Sequence, residues 1–137
     1  MKNLLFLFLS IVVFSSCSVS DDSPSPNGST TVSGTWKVKS FIDNKNRDRT
    51  SYYAPYNFDF KTSGELVVSS SSIKYNGTYS SVMDSGKQKF YITITTSDDE
   101  IDELNEDWIL AEKTDTTIKL TNTSGGNGGT KTLIFGK

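Results

Sequence analysis

The strongest constraint on this chain is an alternation of apolar and polar residues, with period two, in short runs that recur from Gly34 to Phe135. Phe90, Ile92 and Ile94 stand against Tyr91, Thr93 and Thr95, and Phe58 and Phe60 stand against Asn57, Asp59 and Lys61. Successive side chains of an extended strand point to opposite faces, so each run offers one side to a core and the other to water. Eight such strands are predicted, over 34–42, 56–61, 65–69, 72–80, 88–95, 107–112, 117–122 and 131–135. Trp36, Val38 and Ile42 form the inner face of the first, and Ile73, Tyr75 and Tyr79 that of the fourth. Within the fourth, Asn76-Gly77 reads as a bulge or a tight turn.

Short turns and the lack of any crossover helix predict an all-β, antiparallel up-and-down meander of about eight strands. Its economical closure is a barrel, which leaves no strand edge unpaired. Eight strands enclose just enough room for their own side chains or one small guest. The inward residues are bulky except at Gly77, so a filled interior is expected. Any pocket is expected at the end near Tyr75, Tyr79 and the Ser69 to Ser72 turn, with Phe90 and Trp108 as further candidate ligand-lining residues. Trp36, at the start of the first strand, reads as a plug of one barrel end. One short acidic helix is expected over 98–106, capped by Ser97 with Glu100, with Ile101 and Leu104 as its apolar stripe.

Ahead of this domain stands a different kind of segment. Lys2 precedes Leu4 to Phe14, eleven residues broken only by Ser10. That is too short for the roughly 20 residues of a spanning helix, but it has the pattern of a secretion signal. Phe14-Ser15-Ser16-Cys17 resembles the bacterial lipobox, which makes 1–16 a signal peptide and Cys17 the lipidated residue. Cys17 is the sole cysteine, so no disulfide within the chain competes for it. Residues 17–31 (CSVSDDSPSPNGSTT) are too polar and too rich in Ser and Pro to bury a core, and read as a disordered tether. As a coil, such a tether spans about 20 Å. The folded domain is then 32–137.

Charge and composition narrow the function. Removing 1–16 takes away Lys2 and no acid, turning a net charge of −2 into −3. A nucleic-acid partner is not expected of such a surface. The chain has no histidine and its one thiol is assigned to lipid, so no enzyme activity and no cofactor are expected. No metal site is expected either: an EF-hand starting at Asp98 would need Gly and Glu where Glu103 and Ile109 stand.

The order of short motifs resembles the lipocalin-like lipoproteins of Bacteroidetes: Gly34-Thr35-Trp36-Lys37, then Phe58, Phe60 and Gly64, then Trp108 and Leu110, then Thr116, Ile118 and Leu120. The resemblance implies a lipocalin-like barrel. Where lipocalins place an arginine over the tryptophan of the first strand, this chain offers Lys137. Ser20-Asp21-Asp22 resembles the surface-export signal of the same phylum, which implies an outer-membrane lipoprotein with exposure at the cell surface as an option. Asp115-Thr116-Thr117 resembles that phylum's O-glycosylation site, but a three-residue pattern arises easily by chance in a Thr-rich chain and the preferred reading is a turn before the seventh strand. The expected protein is a lipid-anchored monomer that binds a small apolar molecule without catalysis. The alternative is a structural or interaction lipoprotein whose filled barrel docks another envelope component.

Overall fold

The alternating runs form hydrogen-bonded ladders in the computed structural model, which describes residues 30–126 and 128–137. Eight strands and two single-turn helices follow in the order β1 (Gly34–Ile42), α1 (Thr50–Tyr53), β2 (Asn57–Phe60), β3 (Glu65–Ser69), β4 (Lys74–Asp84), β5 (Lys87–Ile94), α2 (Asp99–Asp102), β6 (Asp107–Lys113), β7 (Thr117–Thr123) and β8 (Thr130–Gly136). Each strand pairs antiparallel with its chain neighbours, and β1 meets β8 to close the barrel, Val38 opposite Phe135 and Phe41 opposite Leu133. The signal peptide 1–16, Cys17 and the tether up to residue 29 lie outside the described residues.

The inner faces of β2, β3, β5, β7 and β8 are buried in the phase that alternation predicts. Local geometry changes the phase elsewhere. A register shift between Val38 and Ser40 puts an extra residue into β1, so Phe41 rather than the predicted Ile42 turns inward. A second shift, between Leu110 and Glu112, ends the buried phase of β6 and leaves Leu110 only partly covered. Ile73 is 42% exposed, not inward: it lies in the turn before β4, where no strand partner fixes its face.

Asn76-Gly77 is neither a bulge nor a turn, because β4 runs through it in unbroken register with β3 and β5. Glycine is required there by close approach: a Cβ on Gly77 would lie 2.3 Å from the Thr93 carbonyl oxygen. The turn after β4 comes later, at Ser85-Gly86, whose positive φ values of 51° and 76° suit a two-residue hairpin. The acidic helix is helical only over Asp99–Asp102, and its cap is Asp98, whose carboxylate accepts from the backbone N–H groups of Glu100 and Ile101. The one predicted helix has a companion, α1, which the sequence reading left out.

An up-and-down meander separates its connections. Residues 30–33, the turns 61–64, 85–86 and 114–116, and Lys137 gather at one end, called here the terminal end. The loops 43–56, 70–73 and 95–106, with residues 124–126 and 128–129, gather at the other, the lid end.

Candidate functional site

A barrel offers three places for function: its interior and its two ends. Aromatic rings occupy the interior. Phe60 of β2 lies edge-on to Tyr79 of β4 at 5.0 Å, Phe135 of β8 at 5.5 Å and Phe90 of β5 at 6.1 Å between centroids. β2 is separated from β5 and from β8 by intervening strands, so these contacts run across the lumen rather than along its wall. Phe58, Phe90, Trp108 and Phe135 are fully buried. Edge-to-face pairs of this kind add about 0.5–1.5 kcal/mol each beyond the burial itself.

At the terminal end Trp36 is 3% exposed and its indole N–H donates to the Ser33 carbonyl at 3.0 Å. The ammonium of Lys137 stands 4.7 Å from the Trp36 ring centroid, so lysine takes the stacking place where the resemblance expects arginine. The Tyr79 hydroxyl lies between the carbonyl oxygens of Val32, at 2.5 Å, and Lys61, at 2.7 Å, and fastens the incoming chain to the β2–β3 turn. Burial raises the pKa of that phenol. Two open grooves flank this end. One of about 280 Å³ is bordered by hydroxyl-bearing residues such as Thr31, Thr62 and Ser63 together with Tyr79 and Val82; one of about 110 Å³ lies beside Trp36, Lys113, Asp115 and Lys137.

The lid end is built on a buried carboxylate. Asp43 is 1% exposed and accepts from the backbone N–H groups of Lys45 and Arg47, both at 2.9 Å, and from the Arg47 guanidinium at 2.6 Å. Burial pushes its pKa up, but these donors outweigh burial and bring it down to about 2. The turn so fixed leads to Arg49, whose side chain pairs with Glu100 across the barrel mouth. Tyr53 then drops into the opening, fully buried, edge-on to Phe41 at 5.2 Å, with its hydroxyl donating to the Glu100 carbonyl at 2.6 Å. Burial, followed by the charge of Glu103, raises the Tyr53 pKa. Ile101 and Leu104 fill the rest, and the Trp108 indole donates to the Leu104 carbonyl at 3.0 Å. Loops 43–56 and 95–106 are therefore a fastened lid.

On the outer side of this lid, Tyr52 and Tyr56 form a row with Tyr75 of β4, with centroids 6.2 and 6.4 Å apart; Tyr52 and Tyr75 are partly exposed and Tyr56 is buried. The Tyr52 hydroxyl donates to Asp98 at 2.6 Å, and Tyr75 reaches the same oxygen at 3.5 Å. That hydrogen bond, with burial second, raises the Tyr52 pKa; for Tyr75 burial comes first.

The candidate residues thus separate. Tyr75 belongs to the lid-end row, Tyr79 to the terminal end, and Phe90 and Trp108 to the packed interior; of the four, only Tyr79 borders either groove. Sequence reading missed Asp43, Arg49 and Tyr52, and it placed Tyr56 at the start of the second strand, which begins one residue later at Asn57. The signal was the run Tyr52-Tyr53-Ala54-Pro55-Tyr56, three aromatics between strands in a stretch without alternation.

No protein-family model matches the sequence, and no curated protein is similar to it. Among solved structures, a DUF4847 family protein from Bacteroides vulgatus ATCC 8482 superposes with a TM-score of 0.51 at 18% identity, over 76% of this chain and 92% of that one. At that identity the likeness is one of fold: this chain is similar to a Bacteroides protein in its closed eight-stranded antiparallel barrel.

Proposed function

We propose that this protein is a lipid-anchored component of the bacterial outer membrane that works through its outer surface, as a non-catalytic docking module, rather than by carrying an apolar molecule inside. The observation that carries this reading is the Phe60 ring, which touches rings from β4, β5 and β8 and leaves the lumen to the protein's own side chains. The lid adds to it, because a guest would have to dislodge Tyr53 and part the Arg49–Glu100 pair. Support for the anchor comes from the sequence: the apolar run, the lipobox-like Phe14-Ser15-Ser16-Cys17 and the polar segment after it. The lipocalin-like ancestry suggested by the motif order agrees with Lys137 stacked on Trp36.

The docking surface best suited to a partner is made by Tyr52 and Tyr75, backed by the buried Tyr56, since tyrosine supplies apolar area and a hydrogen-bonding group at little entropic cost. It lies opposite the end at which the chain enters the barrel.

Titration with fluorescent fatty acids and retinoid-like probes tests the interior. Any guest held on the surface grooves should bind at micromolar affinity or weaker, because a burial of about 200 Å² at about 25 cal/mol per Å² barely exceeds the costs of association. Nanomolar binding abolished by Phe90→Trp would restore the carrier reading. A photo-crosslinking residue placed at Tyr75 should capture an envelope component in cells, and one at Phe90 should not.

A further inference from the structure

We propose, on the docking role given to this surface above, that the Tyr52 and Tyr75 face receives a basic segment of a partner protein, with an arginine guanidinium stacked on the tyrosine rings and paired with carboxylates of the loop 95–106. One carboxylate builds the face. The first oxygen of Asp98 accepts from the backbone N–H groups of Glu100 and Ile101, at 3.0 and 3.2 Å, and the second lies 2.6 Å from the Tyr52 hydroxyl and 3.5 Å from that of Tyr75. The buried Tyr56 lies next to both rings, inclined to Tyr52 by 28° and to Tyr75 by 32°. The three rings are therefore contiguous, and the outer two are held at their hydroxyl ends by a group that is itself fixed. Side chains ordered in advance lose little rotamer freedom when a partner arrives.

Charge selects the partner. At the lid end Asp43 is taken by Arg47, Glu100 by Arg49 and Glu106 by Lys131, whereas Asp48, Asp98, Asp99, Asp102 and Glu103 make no ion pair among the described residues. Three lysines that reach this end are likewise unpaired, and each is placed elsewhere. Lys37 is held by the Ala54 carbonyl at 3.2 Å, Lys45 lies in the turn whose Asn44 closes on Gly129 beside β8, and Lys74 alternates with Tyr75 and so faces the other side of β4. The unpaired acids keep the majority, and Asp98 and Asp99 stand at the face itself.

Arginine suits both features. Its flat guanidinium covers an aromatic ring and still directs N–H groups to a carboxylate, which the point charge of lysine does less well. The Tyr52 ring is a good partner for a cation, because a phenol that donates to a carboxylate is polarised toward its ring. Asp98 also has acceptor capacity to spare: at 3.5 Å the Tyr75 hydroxyl stands at the limit of a hydrogen bond, so the second oxygen keeps a lone pair for an incoming N–H. Asp99, next in the chain, is exposed. An acidic partner would be repelled by the same carboxylates.

The test uses the protein purified from its own membranes and the fluorescence anisotropy of two labelled peptides of equal length and charge, one alternating Gly with Arg and the other Gly with Lys. The arginine peptide should bind about two- to fivefold more tightly than the lysine peptide, and added salt should weaken both. Tyr75→Ser and Asp99→Asn should each weaken the arginine peptide about two- to fivefold, whereas Tyr75→Phe keeps the ring and should bind like its parent. Equal affinity for the two peptides, or indifference to Asp99→Asn, an exposed change that leaves the fold alone, overturns the proposal. In cells, the photo-crosslinking residue at Tyr75 separates this partner from docking itself. A captured peptide that contains arginine, and whose capture is lost on Asp99→Asn, supports both. Capture of a glycan, or of a peptide without arginine, refutes the basic partner while docking stands, and no capture at all refutes docking and the proposal with it.

Discussion

Replacing Phe60 by alanine probes the packed lumen at its most connected point. The ring is 1% exposed and meets Tyr79, Phe90 and Phe135, each from a different strand. Truncation removes about 100 Å³ of side chain, and at about 24 cal/mol per Å³ of unrelaxed cavity this costs about 2.4 kcal/mol beyond the lost transfer energy, for a total of about 3–5 kcal/mol. The three facing rings are fixed by other contacts, Phe135 by Phe58 at 5.1 Å and Tyr79 by its bond to Val32, so little collapse is expected. Urea unfolding should show the loss as a lower midpoint with an unchanged slope. The cavity left should stay dry and accept a small apolar probe such as benzene or xenon, which the unaltered protein should exclude. Ile73→Ala, at an exposed turn, should change stability by only about 0.5 kcal/mol. A Phe60→Ala protein within about 1 kcal/mol of its parent would show that the lumen already holds empty space, and the reasoning would fail.

Other outcomes follow from the two ends. Tyr79→Phe leaves the Val32 and Lys61 carbonyls without their shared donor and should cost about 1–3 kcal/mol by chemical denaturation. Asp43 has its folded pKa depressed from 3.8 to about 2, so the stability it supplies is complete above pH 3.8 and lost as pH falls toward 2; melting temperatures of Asp43→Asn should lack that acid limb. The raised pKa of Tyr52 works in the other direction: its contribution is complete below pH 10.0 and fades as pH rises past that value, and Asp98→Asn should bring its phenol back toward ordinary ionisation in a spectrophotometric titration. Gly77→Ala should cost at least about 1–3 kcal/mol, because its Cβ meets backbone atoms of Thr93 and Ile94 that cannot move aside cheaply.

Much of the barrel was legible in the sequence because alternation is enforced residue by residue wherever one face is buried. β1 and β3 fall within the bounds that alternation predicts, and the inward set of β5 is the one read from Phe90, Ile92 and Ile94. What escaped depends on partners distant in the chain. The β1 bulge that exchanges Ile42 for Phe41 is set by pairing with β8, where Lys37 lies opposite Gly136 and the side chain of the unpaired Lys39 covers that glycine, a contact some hundred residues away in sequence. The extension of β4 to Asp84 rests on pairing with β5 through Ser81, Val82 and Met83, which do not alternate in polarity. The lid was invisible for a similar reason: Asp43, Arg49 and Glu100 form their network only after loops 43–56 and 95–106 have been brought together over the mouth. A charged residue in a loop carries no mark of its future burial.

The packed lumen, on which the proposed function depends, is tested most directly by native mass spectrometry of the protein purified from its own membranes. The account expects a chain beginning at Cys17 and carrying covalent acyl groups, with a mass that gentle activation does not change. A further small molecule that stays bound through purification and leaves on activation would contradict it, because such a guest has no place in a lumen filled by Phe58, Phe60, Phe90 and Phe135.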